Sequence, residues 1–214
     1  MADVPAPPDA SALVRAGLAE ESYLVATGMR LHRVHDSRFA PDSFNPGGCG
    51  RFHPFASAAG NPVPCLYAAD SVAGSYTATV FRSIGQQSCM QVPARRIRQY
   101  SYSLLSAGKE LRLAHLGGDA LARLRLTRAA LLEPGPGSYA GTVRWAQAIH
   151  AAYPKLHGLA WISRQHDASV CLMLFGDRVA PQDLQVLGTT RLADAAGAAL
   201  TDRVAMRLGI AVMR

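Results

Sequence analysis

The chain has 214 residues, 49% hydrophobic and only 17% charged, a composition that excludes intrinsic disorder and leaves room for a sizeable core under a sparsely charged surface. Its net charge of +7 comes from 22 Lys and Arg against 15 Asp and Glu, and Lys109 and Lys155 are the lysines. The excess is therefore guanidinium, which suits phosphate contact and is equally produced by GC-rich coding; no basic tract tracks a nucleic-acid backbone, so no direct nucleic-acid binding is expected.

Residues 1–10, with Pro5, Pro7 and Pro8 among small side chains, are expected to form a flexible lead-in to a single domain over 11–214. Ser11 then caps a helix through Leu13, Val14 and Leu18, weakened by Gly17. Tyr23 and Val25, followed by Met29, Leu31 and Arg33, alternate as strands split by Thr27 and Gly28. Asp42–Gly50 (DSFNPGGCG) is turn chemistry throughout, and a long irregular loop of this kind more often carries function than not. It delivers Arg51, Phe52 and His53. Val63–Ala68 reads as a short apolar strand ending at Tyr67, after which Asp70 or Ser71 caps a helix from Val72 to about Ser83.

Met90–Leu105 mixes strand residues with Arg95, Arg96 and Arg98 and is read as an exposed basic strand. Glu110–Leu116 is a strand, Gly117 and Gly118 a break, and Asp119–Arg125 a short helix. Tyr139–Tyr153 reads as a helix with Val143, Trp145, Ala146 and Ile149 inward, stopped by Pro154. Gly158–Ile162 and the continuous apolar run Val170–Phe175 are strands that pair through the polar connection between them. Leu184–Leu187 adds an edge strand and Leu192–Leu208 a final helix. The sum is an α/β (α+β) fold, a single domain with a central mixed sheet flanked by helices.

Common signatures are missing: no GxGxxG, Walker loop, GxSxG or HExxH occurs. Cys49, Cys65, Cys89 and Cys171 have neither CxxC nor CxH spacing, so they are read as reduced cysteines rather than a zinc site or a disulfide framework. His32, His35 and His53 crowd one region, but a spacing of three on a strand gives no assured common face, and no metal is assigned. The absence of any apolar window of about eighteen residues and of a signal-like start leads us to expect a cytoplasmic protein without membrane contact. Sparse surface charge points to a covered face, from a partner or a homo-oligomer. At Gly50–Phe52 the run GRF combines a backbone able to approach a ligand closely with a guanidinium fork suited to a pyrophosphate or carboxylate; a structural salt bridge is the plain alternative.

In order and spacing, Arg33, GRFHP, the strand ending LYAAD, the helix segment TATVFR, and WISRQ followed by VCLMLFGDR resemble the RES-domain family over roughly residues 29–180. The resemblance implies an ADP-ribosyltransferase-like fold, an NAD-consuming toxin of a toxin–antitoxin pair, and an Xre-type antitoxin as partner. Carried over, it places binding arginines at Arg33 and Arg51, a strand-end tyrosine at Tyr67 and the family serine at Ser163, with Arg33 and Ser163 also serving the chemistry. The two guanidiniums would hold the pyrophosphate of NAD, Tyr67 the nicotinamide side, and Ser163 a ribose or amide group. The family Glu falls at Ala78, which is the chief departure. Either catalysis was lost naturally or a Glu→Ala change was introduced so that a toxic enzyme could be produced, and the retained arginines favour the second.

Overall fold

The computed structural model describes residues 4–48, 50–84 and 90–214. Eight strands form one mixed sheet: β1 (Tyr23–Val25), β2 (Arg30–Asp36), β3 (Cys65–Ala69), β5 (Tyr100–Ala107), β6 (Leu111–His115), β7 (Gly158–Ile162), β8 (Val170–Phe175) and β9 (Leu184–Arg191). Their spatial order is β1-β6-β7-β8-β3-β2-β5-β9, and β4 (Gln91–Pro93) lies apart, paired with the C-terminal β10 (Ala211–Met213). Only β6 and β7 run parallel within the large sheet, because the three helices α4 (Gly118–Arg123), α5 (Arg128–Leu131) and α6 (Tyr139–Ala152) cross between them. The expected pairing of β7 with β8 is present and antiparallel.

The sheet curls. Val25, Leu31, Leu66, Leu105, Leu111, Ala160, Leu172 and Leu184, one from each of its strands, belong to a single buried cluster, and residues 108–110 alone join β5 to β6 although four strands lie between them in the sheet, so the two ends approach each other across the concave face. The convex face is covered by helices. Trp145, Ala146 and Ile149 of α6 meet Leu159, Met173 and Phe175, while α7 (Ala195–Arg207) brings Val204 and Ala205 against Val34, Tyr76 and Phe81. In α6 the buried positions 142, 145, 146 and 149 repeat at helical spacing, which is why this segment was legible as a helix. Each such fully buried large apolar side chain stabilises the fold by about 1.5–3 kcal/mol.

Several boundaries differ from expectation. The proline-rich start is seated on the body from Val4, which is buried, and the Pro5 carbonyl accepts from Trp145 Nε1 at 2.7 Å. Asp9, not Ser11, caps α1 (Ala10–Arg15): its carboxylate accepts from the Ala12 amide and also from the Ser11 hydroxyl, so the stronger acceptor claims the cap. Helix α2 (Val72–Ala78) is capped by Ser71 and ends five residues before Ser83, as Thr79 leaves helical geometry. Asp70 instead accepts from the Val170 amide at 3.0 Å. Arg95, Arg96 and Arg98 do not lie on a strand. Arg95 and Arg96 lie within the single turn α3 (Ala94–Ile97) and Arg98 caps its end, while buried Ile97 anchors the turn and the three arginine side chains are exposed. The strand β10 was not foreseen. Cys65 and Cys171 are free and buried, and Cys49 and Cys89 lie outside the described residues.

Candidate functional site

β2 and β3 share one paired position, His32 with Ala69, and then part. Into that split opens a cleft of about 480 Å³, reached by Arg33 and Val34 from one strand and by Tyr67 and Ala68 from the other. Adjacent strand residues point to opposite faces, so a cleft that receives both must lie between the strands rather than on one side of the sheet. The volume is in the ordinary range of small-ligand sites, about 300–1,000 Å³.

Arg33, Arg51, Tyr67, Ala78 and Ser163, the five positions singled out in the sequence, all line this cleft. Arg33 is 8% exposed, and its Nη1 donates to the carbonyls of Pro41 at 2.7 Å and Ser43 at 2.9 Å. Burial lowers its pKa to about 10, with Asp42 opposing the shift, so it stays charged at neutral pH. Arg51 arrives on the loop before the cis His53–Pro54 bond, and its Nη1 donates to the Pro134 carbonyl at 3.2 Å. Burial lowers its pKa too, and the neighbouring Arg164 and Arg82 add to the effect while Tyr139 opposes it.

Tyr67 stands on the central strand with its hydroxyl accepting from the Phe52 amide at 3.3 Å. Burial drives its pKa upward, so the phenol remains protonated. Gly50 makes this placement possible: a Cβ there would lie 2.7 Å from the Tyr67 hydroxyl oxygen. Ser163 ends the run of β7 and is buried, its amide donating to the Ser169 carbonyl at 2.8 Å and its hydroxyl accepting from the Gln165 amide at 3.3 Å. Ala78 is the last residue of α2 and is exposed towards the cleft. Helix α2 reaches this position by pressing against the β7–β8 connection, where a Cβ on Gly74 would meet Ser169 Cβ at 2.7 Å.

Three further lining residues were not singled out as site residues. Arg82 and Arg164 stand inside the segments TATVFR and WISRQ, next to positions already of interest, so their proximity in sequence was an available signal. His53 is 2% exposed, and its Nε2 is the one buried side-chain nitrogen or oxygen without a hydrogen-bond partner among the described residues. Burial lowers its pKa against the pull of the Asn45 carbonyl, which leaves a neutral ring at pH 7. His32 and His35 face opposite ways on β2, towards Tyr102 and Ser103 respectively.

Chemically the cleft is cationic. Among the described residues no Asp or Glu lines it. Cys171, also in the lining, is pushed up to about 11 by burial and is not a thiolate nucleophile at neutral pH. Such a site can hold an anion and orient polar groups through Tyr67 and Ser163, but it lacks a carboxylate for general acid or base work or for stabilising a developing positive charge.

The profile of the RES domain matches residues 30–194. No curated protein matches the chain. Among solved structures, a chain of the M. tuberculosis MbcT–MbcA toxin–antitoxin complex shares the fold, with a TM-score of 0.63 at 17% identity over 89% of this chain and 97% of that one.

Proposed function

The chain belongs to the RES domain family, and from that premise we propose that it is the toxin of a type II toxin–antitoxin pair whose active form, with Glu at position 78, cleaves NAD at the nicotinamide glycosidic bond; Ala78 stands where that catalytic Glu is required. One observation carries this reading: Arg33, Arg51, Tyr67, Ser163 and position 78, far apart in the chain, line one cationic cleft with no acid among its described residues. Guanidiniums there suit the diphosphate of NAD, Tyr67 offers a ring and a protonated hydroxyl to the nicotinamide side, and Ser163 offers a hydroxyl to a ribose or amide group. As nicotinamide leaves, positive charge develops on the ribose. A carboxylate at position 78 would stabilise that charge and polarise the 2′-hydroxyl, and alanine does neither. The reaction type is that of an ADP-ribosyltransferase, with phosphate, water or a protein side chain as acceptor. The proposed setting is the bacterial cytoplasm, with an Xre-type antitoxin that blocks the cleft; the similar solved structure, a toxin–antitoxin complex, supports an antitoxin partner.

A second reading, a catalytically inactive NAD- or nucleotide-binding module acting as sensor or scaffold, is favoured by that same lack of an acid if Ala78 is native. Expression of the chain and of its Ala78→Glu variant in bacterial cells, with growth and cellular NAD followed together, separates the two. The toxin reading expects growth arrest and NAD depletion from the variant alone. Unchanged growth and NAD in cells that accumulate folded variant contradict it and leave the binding module.

A further inference from the structure

Arg51, Arg82 and Arg164 gather along the cleft, and none of them pairs with a carboxylate among the described residues. What holds them is uncharged. Tyr139, the first residue of α6, lies with its ring centre 5.5 Å from Arg51 Cζ and 5.4 Å from Arg82 Cζ, and its hydroxyl accepts from Arg82 Nη2. Arg51 Nη1 and Arg164 Nη1 are steadied by the carbonyls of Pro134 and Glu133, at 3.2 and 3.0 Å. The acids that flank these segments are engaged elsewhere: Glu133 and Asp167 both pair with Arg128, at 3.3 and 3.4 Å. Three like charges held together, partly out of water, destabilise the chain unless an anion joins them. Arg33 is different, since its Nη1 already binds two loop carbonyls.

We infer that Arg51, Arg82 and Arg164 form a seat for a phosphoryl anion, that Tyr139 is the positioning residue that presents two of them, and that Arg33 acts on the site by fixing the loop at Pro41–Ser43. This deepens the NAD reading, on which it rests only for the identity of the natural ligand; the seat itself asks for a diphosphate and nothing more. Forked donors from three arginines suit the oxygens of a diphosphate better than a single carboxylate. Of these five residues, Arg33 and Arg51 were singled out in the sequence.

The test is calorimetric titration of inorganic pyrophosphate, and separately of NAD, into the full chain at low and physiological salt. Pyrophosphate is expected to bind. Arg82→Gln and Arg164→Gln should each weaken it about ten-fold or more, the loss of one charge-assisted hydrogen bond. Tyr139→Phe keeps the ring and should cost less than Tyr139→Leu, and Arg82→Lys, which keeps the charge without the fork, should fall between parent and Arg82→Gln. Arg95→Gln, on the exposed turn away from the cleft, should bind as the parent does. The seat is overturned if the parent does not bind pyrophosphate, if folded Arg82→Gln and Arg164→Gln proteins bind it unchanged, or if Arg95→Gln weakens it equally. Pyrophosphate binding without NAD binding keeps the seat and removes the dinucleotide reading; NAD binding indifferent to Arg82→Gln and Arg164→Gln keeps the dinucleotide reading and removes the seat.

Discussion

Replacing Arg33 by Met separates scaffold from ligand contact at this position. The side chain is 8% exposed, and its guanidinium gives two bonds from Nη1, at 2.7 and 2.9 Å, to carbonyls that close the turn after β2. Methionine fills much of the same volume and removes the donors. Each hydrogen bond from a charged donor contributes about 1.5–3 kcal/mol, so losing both costs about 3–5 kcal/mol once relief of the buried charge is allowed for. For a chain of this size that is a fall in Tm of about 6–20 °C, at about 2–4 °C per kcal/mol. Scanning calorimetry of parent and Arg33→Met, with urea unfolding to check that the slope is unchanged, measures it. The Pro41–Ser43 segment should also become more readily cut by protease in the variant. A Tm within about 2 °C of the parent would refute the scaffold role and return Arg33 to the ligand.

Two further outcomes follow from the geometry. In Gly50→Ala the new Cβ would lie 2.7 Å from the Tyr67 hydroxyl oxygen and 3.1 Å from its Cζ, and Tyr67 has little freedom between the Phe52 amide and the Trp161 ring. Overpacking of about 1–3 kcal/mol is expected, with recovery in the double variant with Tyr67→Phe, which removes the nearest atom; equal losses in single and double variants would show the strain to lie elsewhere. Acid should destabilise the fold early. His32, His35, His53, His115, His150 and His157 all have pKa values lowered from 6.5, with burial the largest cause in each. The unfolded chain therefore takes up protons first as pH falls below about 6.5, and the stability present above that value is lost as pH drops through the lower folded values. Tm measured from pH 7.5 to 5 should decline, more shallowly in His53→Asn; a flat or rising profile contradicts this.

Elements whose sequence repeats its own period were legible: the apolar run Val170–Phe175, the strand Gly158–Ile162 and the helix Tyr139–Ala152 fall where local patterning puts them. What patterning could not show depends on distant partners. Three residues at Ala211–Met213 become a strand only because Gln91–Pro93 lies beside them. Val4 is a lone apolar residue among prolines, and only the surface of α6 at Gly141 and Trp145 gives it a seat. Arg95–Arg98 carries charges at a spacing compatible with strand or turn, and the bond from the Arg98 amide to the Ala94 carbonyl, with Ile97 buried, settles the turn. The site divided the same way. Arg33, Arg51, Tyr67, Ser163 and position 78 stood out through the resemblance to the RES-domain family, whereas the parting of β2 from β3 that lets them meet, and Tyr139 that presents two arginines, have no local signature.

In the proposed function the cleft takes NAD and lacks only the acid at position 78. Purified chain and purified Ala78→Glu, each incubated with NAD while bound nucleotide and released nicotinamide are quantified by chromatography, test it together. Both are expected to bind NAD, and only Ala78→Glu to release nicotinamide. NAD bound and left intact by both, or bound by neither, would contradict it.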